Sequence, residues 1–175
     1  NPGGDLKDIY LHYVGTDPNK PQLTFETNFK DLTLLPVGPV PGIRGLSGSI
    51  VTNNTSGSVA LDTNNAVVYL PNLLREPLPI DNLNGLLSWE KDKTSWKISS
   101  NNLQVKNEDL NSRLKLGFDL PFNGSSPFLN LTAIFKDGKA DNIQRYVPFR
   151  AMPEPAIKWI DRSIKGGNIE SGSAI

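Results

Sequence analysis

The stretch IRGLSGSIVTNNTSGSVALDTNNAVV, residues 43–68, is answered 37 residues later by IDNLNGLLSWEKDKTSWKISSNNLQV, residues 80–105. Reading the second as a copy of the first decides the fold. Ile43 falls on Ile80, Leu46 on Leu83, Gly48 on Gly85, Ser58 on Ser95, Asn64-Asn65 on Asn101-Asn102 and Val68 on Val105. Where identity fails, character holds: Ile50 meets Leu87, Val59 meets Trp96 and Leu61 meets Ile98. A repeated unit stacks on its copies, because one unit alone cannot bury its apolar face. The second copy reads as a strand over 83–89, a polar turn over 90–95, a strand over 96–100, an Asn-Asn turn and a strand over 103–105. The module is a β-meander, and the chain carries it twice.

The flanks continue the pattern. Residues 5–14 alternate, with Ile9, Leu11 and Tyr13 on one face and Leu6 out of phase. A breaker-rich turn over 15–21 leads to a strand through Leu23 and Phe25. Residues 31–35 are ambiguous, and Pro36, Pro39 and Pro41 force an extended connection. Residues 69–79 link the copies through apolar anchors. Beyond the second copy, Leu114, Leu116, Phe118 and Leu120 share a face opposed by Arg113, Lys115, Gly117 and Asp119, and Leu129, Leu131, Ala133 and Phe135 form the next strand. Asp137-Gly138 closes that strand as a tight turn. One helix is expected over 155–165: Pro155 suits its first position, Ile157, Ile160 and Ile164 recur at helical spacing, and Gly166-Gly167 stops it. Residues 1–165 then read as one β unit and 166–175 as the opening of a further, truncated one, with Ser171-Gly172-Ser173 echoing Ser47-Gly48-Ser49.

Bulk numbers narrow the function. Eighteen basic and eighteen acidic residues cancel, which removes the electrostatic footprint of a nucleic-acid binder. There is no cysteine, so thiolate catalysis, disulfides and the usual structural zinc sites are excluded. No apolar run reaches the about 20 residues of a membrane helix. The single histidine, His12, lies opposite the apolar face of its strand and reads as a surface residue. The glycines at 42, 45 and 48 lack the flanking strand, helix and Lys-Ser/Thr of a phosphate loop. Asp137, Gly138 and Asp141 miss the calcium-loop spacing. Asn53, Asn54, Asn123 and Asn130 stand in glycosylation-type triplets. Nothing singles out a carboxylate pair, so the expectation is of no enzyme, no metal and no cofactor.

A one-faced antiparallel sheet must bury its apolar face against another sheet, a helix or a ligand. One helix of about ten residues cannot cover so many strands. The expected architecture is therefore mostly β: a curved antiparallel meander that curls on itself, closes as a sandwich or leaves a groove.

The series Pro41-Gly-Ile-Arg-Gly-Leu-Ser-Gly48, Leu83-x-Gly85-x-Leu87-x-Trp89, Trp96-x-Ile98, Leu103-x-Val105-x-Asn107-x-Asp109, then Arg145-Tyr-Val-Pro, Met152, Trp159-Ile-Asp and Gly166-Gly167 resembles the YhdP branch of the AsmA-like proteins. The resemblance runs across nearly the whole chain, in the order and spacing of many weak motifs. It implies an interior periplasmic part of a large, inner-membrane-anchored envelope protein of Gram-negative bacteria. Such a protein is a curved, apolar-lined groove that moves phospholipid between inner and outer membranes. The partners implied are phospholipid or fatty acyl chains and other parts of the same longer chain. The family offers no catalytic motif. Under that reading the groove-lining candidates are Trp96, Ile98, Leu103, Val105, Leu114, Leu116, Phe118, Leu129 and Leu131, each of which serves equally as ordinary core. The rival readings are an assembly module for outer-membrane biogenesis that works by strand addition at exposed edges, and a carbohydrate-acting sandwich enzyme, which lacks a site.

Overall fold

The computed structural model describes residues 3–15, 22–37 and 41–175. Among the described residues, alternating apolar and polar residues build nine strands: β1 (Gly3–Val14), β2 (Gln22–Leu34), β3 (Gly42–Thr52), β4 (Ser56–Tyr69), β5 (Leu78–Lys91), β6 (Ser95–Lys106), β7 (Asn111–Pro121), β8 (Phe128–Lys139) and β9 (Asn168–Ala174). They form one open, curled antiparallel sheet in which every strand lies beside its sequence neighbour. A 3-10 helix (Ala140–Tyr146) and α1 (Glu154–Ser163) connect β8 to β9. α1 begins one residue before Pro155, has Pro in its first turn and ends where the Ile164 N–H donates to the Ile160 carbonyl. The breaker-rich turn at 16–21 and Pro39 lie outside the described residues.

The strands are longer than the sequence pattern suggests, because several apparent chain reversals are bulges. Asn64-Asn65 and Asn101-Asn102 lie inside β4 and β6 and are not turns. Asp137-Gly138 likewise lies inside β8, with Gly138 paired to Ile169. Asp and Asn tolerate the left-handed conformation that a bulge requires as readily as that of a tight turn. Asp8, Asp31, Asn65 and Asp137 all have positive φ between 53° and 59°. Breaks in register fall between Lys7 and Tyr10, Phe29 and Leu32, Arg44 and Gly48, Asn84 and Ser88, and Ser100 and Leu103. Together they draw a line across the sheet from β1 to β6. Side chains stitch it: the Thr63 hydroxyl accepts from the Ser47 N–H at 2.9 Å and donates to the Ser47 carbonyl at 2.8 Å, while the Thr27 hydroxyl donates to the Lys7 carbonyl at 2.8 Å.

The bulge line keeps apolar residues on one face. In β6, Trp96, Ile98 and Ser100 share a face; beyond the bulge the phase slips by one and Leu103 and Val105 take over. In β4 the buried positions pass from Leu61 and Thr63 to Ala66, and in β5 from Leu83 to Ile80. Bulges also bend and twist a strand, which curls the sheet towards that face. The core forms along the line from Phe29, Leu46, Leu61, Ala66, Ile80, Leu83 and Leu103.

The two related stretches fall in successive hairpins, β3–β4 and β5–β6. Their turns match in chemistry. Asn53 Oδ1 accepts the N–H groups of Thr55 and Ser56, and Asp92 Oδ1 accepts those of Thr94 and Ser95. In structural role, however, Gly85 corresponds to Gly45. A Cβ on either glycine would meet the facing Asn carbonyl, Asn65 for Gly45 and Asn102 for Gly85.

Gly85 has φ +145°, and its absent Cβ would lie 2.6 Å from the Asn102 carbonyl oxygen. Gly85→Ala is therefore expected to cost about 2–3 kcal/mol, read as a lower urea midpoint. Gly117→Ala, with open space around the added carbon, is expected to lose nothing.

Candidate functional site

Cross-strand partners share a face, so the ladder registers place all nine candidate lining residues together. Trp96 pairs with Leu120, Ile98 with Phe118, Ser100 with Leu116 and Leu103 with Leu114. Phe118 in turn pairs with Leu129, Leu116 with Leu131 and Leu114 with Ala133. Val105 pairs with Ser112, and Ser112 with Phe135. The same face continues through Trp89, Gly57, Thr52, Phe25 and Leu11 to the opposite edge. Lys97, Gln104, Lys106, Arg113, Lys115 and Asp119 occupy the other face.

Burial divides the nine. Leu103 belongs to the packed core, and Val105, Leu114 and Leu116 lean against it. Trp96, Ile98 and Phe118 are half-buried. Leu129 and Leu131 remain 53% and 39% exposed, because β9 pairs with β8 only from Ala133 to Lys139. The face is thus packed along the bulge line and open towards β8 and β1, where Leu11 and Tyr13 are also exposed.

Beside the β7–β9 part of this face lies a trough of about 390 Å³ lined by Val105, Leu114, Leu131, Ala133, Phe135 and Ile169, with Leu74, Ile143 and Tyr146 on its far wall. A packed interior does not leave such space between apolar side chains. The trough is open and hydrocarbon-lined, and its size suits part of a ligand.

The far wall is held by a polar latch. Asp109, in the β6–β7 turn, is 1% exposed. Its carboxylate accepts from Asn142 Nδ2 at 2.7 Å, the Tyr146 hydroxyl at 3.0 Å and Arg145 at 3.3 Å. Asn107 Nδ2 donates to the Tyr146 hydroxyl at 2.8 Å, and Asn107 Oδ1 accepts the Asp109 and Leu110 N–H groups. Burial pushes the Tyr146 phenol above its ordinary range, against the donor from Asn107, and the Asp109 bond adds to the rise; the phenol stays protonated and keeps donating. Arg145, paired also with Glu108 at 2.8 Å, is held further in its charged form. Further ties include Arg75 to Asp161 at 3.0 Å, Arg150 to Asn72 Oδ1 at 3.1 Å and the Phe149 N–H to the Leu73 carbonyl at 3.1 Å. In the sequence, Asn107, Asp109, Arg145 and Tyr146 stand out only as parts of family-like motifs. Their meeting across more than thirty residues of chain leaves no periodic signal.

The other chemical candidates stand apart. His12 pairs with Thr24 on the outer face of an exposed strand. The glycines at 42, 45 and 48 lie within β3. Asn53 and Asn123 cap turns, with Asn123 Oδ1 accepting the Ser125 N–H at 3.0 Å. Among the described residues, no group of three His, Asp or Glu side chains is placed to hold a metal, and no helix is long and apolar enough to cross a membrane.

Compared with known proteins, residues 1–175 match the family described as YhdP protein. The chain is 20% identical over 151 residues to the intermembrane phospholipid transporter YhdP of Escherichia coli strain K12, a match covering 86% of this chain and 12% of that protein. No solved structure matches.

Removing the Asp109 carboxylate takes the acceptor from Asn142 and from the Tyr146 hydroxyl and leaves Arg145 with Glu108 alone. Asp109→Ala is expected to cost about 2–3 kcal/mol and Tyr146→Phe about 1 kcal/mol, both read from urea denaturation. Amide exchange should rise first across 140–163, with the β3–β5 core still protected.

Proposed function

The chain belongs to the YhdP family, and from that premise we propose that it is a non-enzymatic part of an envelope phospholipid-transfer protein. In this reading the apolar face carries acyl chains between inner and outer membranes, and the chain lies in the periplasm as part of an inner-membrane-anchored protein. The name of the Escherichia coli relative, an intermembrane phospholipid transporter, supports the ligand class. The chain spans 12% of that relative's length, so the path would continue through other parts of a longer protein.

One observation carries the reading: Trp96, Ile98, Leu114, Leu116, Phe118, Leu129 and Leu131 share one face of β6–β8, and Leu129 and Leu131 on it are left exposed. A lipid tail needs a surface of this kind, apolar over neighbouring strands, with Lys97, Lys106, Arg113 and Lys115 turned to the opposite face. Leu129, Leu131, Phe118, Ile98 and Trp96 supply the open stretch, Val105, Leu114 and Leu116 line its inner side, and Leu103 anchors it to the core. Sheet growth by stacked hairpins extends the face without changing its chemistry.

A second reading rests on β1. Every residue of this edge strand is exposed, including Leu6, Ile9, Tyr10, Leu11, Tyr13 and Val14. An apolar edge with unpaired backbone groups is a template for strand addition, which suits an assembly module for outer-membrane biogenesis. The two readings separate by ligand: organic extracts of the purified protein, examined by mass spectrometry, contain co-purified phospholipid in the first and none in the second.

Leu131→Arg tests the face directly. At a position already 39% exposed, the stem can lie on its neighbours with the charge in water, so stability should change by about 1 kcal/mol or less. Uptake of a fluorescent phospholipid should fall sharply, while Lys115→Glu on the outer face should leave both stability and uptake unchanged. Normal uptake by folded Leu131→Arg removes β8 from the lipid path.

A further inference from the structure

The apolar face carries a cation at its rim. Lys91 is the last residue of β5 and pairs with Trp96, which puts it on the same side as Trp89, Ile98 and Phe118. Its ammonium lies 5.7 Å from the centroid of Trp96 and 5.3 Å from that of Phe122. The other cations of β6 and β7, at 97, 106, 113 and 115, point to the outer face, and Lys97 is paired with Asp92 at 2.8 Å. Lys91 takes part in none of the ion pairs among the described residues.

Two rings fix the position of this charge without neutralising it. An exposed cation–π contact is weak, and the ammonium has three donors, none of which an aromatic face satisfies as an anion does. Trp96 and Phe122 therefore hold a donor ready at the rim, beside a low-dielectric surface on which a charge pair is stronger than in bulk water. Directly below, Trp96, Ile98, Phe118 and Leu129 offer a bed for hydrocarbon. An anionic head above and an apolar tail below is the layout of a glycerophospholipid.

We infer that Lys91, held over Trp96 and Phe122, binds the phosphate of a phospholipid whose acyl chain lies on the Trp96–Ile98–Phe118 surface. The inference rests on the lipid-carrying reading and adds to it a site for the head group.

The test compares two lipids with the same pyrene-labelled acyl chains, phosphatidylglycerol and diacylglycerol, which differ by the anionic head. The wild-type chain should bind phosphatidylglycerol about three- to fivefold more tightly, the size of one partly exposed charge pair. Lys91→Met should bind diacylglycerol as the wild type does and lose the preference, and Lys91→Arg should restore it. Lys91 is exposed, so thermal melting should show both variants folded. A Lys91→Met protein that keeps the full preference overturns the head-group site and leaves the lipid reading standing. A wild-type chain that takes up neither lipid overturns both.

Discussion

The rest of the structure depends on the half-turn change of phase where the strands cross the bulge line. A strand of 12 to 14 residues with strict alternation would present one apolar face in a flat ribbon. Here a residue in the left-handed region, or a glycine, slips the phase at mid-strand. Apolar side chains on both sides of the slip then face the same way while the strand bends. The polar residues this demands are built in: Thr63 and Thr27 are buried but fully engaged with the Ser47 backbone and the Lys7 carbonyl.

From that constraint follows the division of labour on the apolar face. Along the bulge line the curl brings Phe29, Leu46, Leu61, Leu83 and Leu103 into contact, and each buried side chain contributes about 1.5–3 kcal/mol. Stability therefore resides in the keel of the sheet. The flanks owe it little, which frees Leu129, Leu131, Trp96 and Phe118 to stay open. The connection between β8 and β9 is fastened by polar bonds at Asp109 and Arg75 and by burial of Ala140, Val147 and Ile157, with Trp159 left 63% exposed. The wall of the trough thus adds polar ties to the apolar burial that holds the sheet.

Much of this was legible in the sequence, and the misses share one cause. The unbroken alternation of Leu114 to Leu120 marked β7 with its correct facing, and β7 pairs with β8 without a register break. The helix was visible in the spacing of Ile157, Ile160 and Ile164. At Asn64-Asn65, Asn101-Asn102 and Asp137-Gly138, however, a change of apolar phase beside turn-forming residues looks the same whether the chain reverses or bulges. Only the neighbouring strand, which either continues the ladder or does not, tells them apart. Leu6, out of phase with Ile9 and Leu11, was the same signal in β1, where Asp8 supplies the bulge. The Asp109 latch joins residues distant in sequence, and Lys91 sits where a polar residue at a strand end is unremarkable; neither leaves a periodic trace.

The central claim is that the face bearing Phe118 and Leu129 is a lipid surface and the face bearing Lys115 is not. Site-specific photocrosslinking tests it most directly. A benzophenone side chain is placed singly at Phe118, Leu129 or Lys115 in cells that express the protein, and the adducts are identified by mass spectrometry. The account predicts phospholipid adducts at Phe118 and Leu129 and none at Lys115. Equal labelling of all three positions, or none at Phe118 and Leu129 in a folded protein, contradicts it.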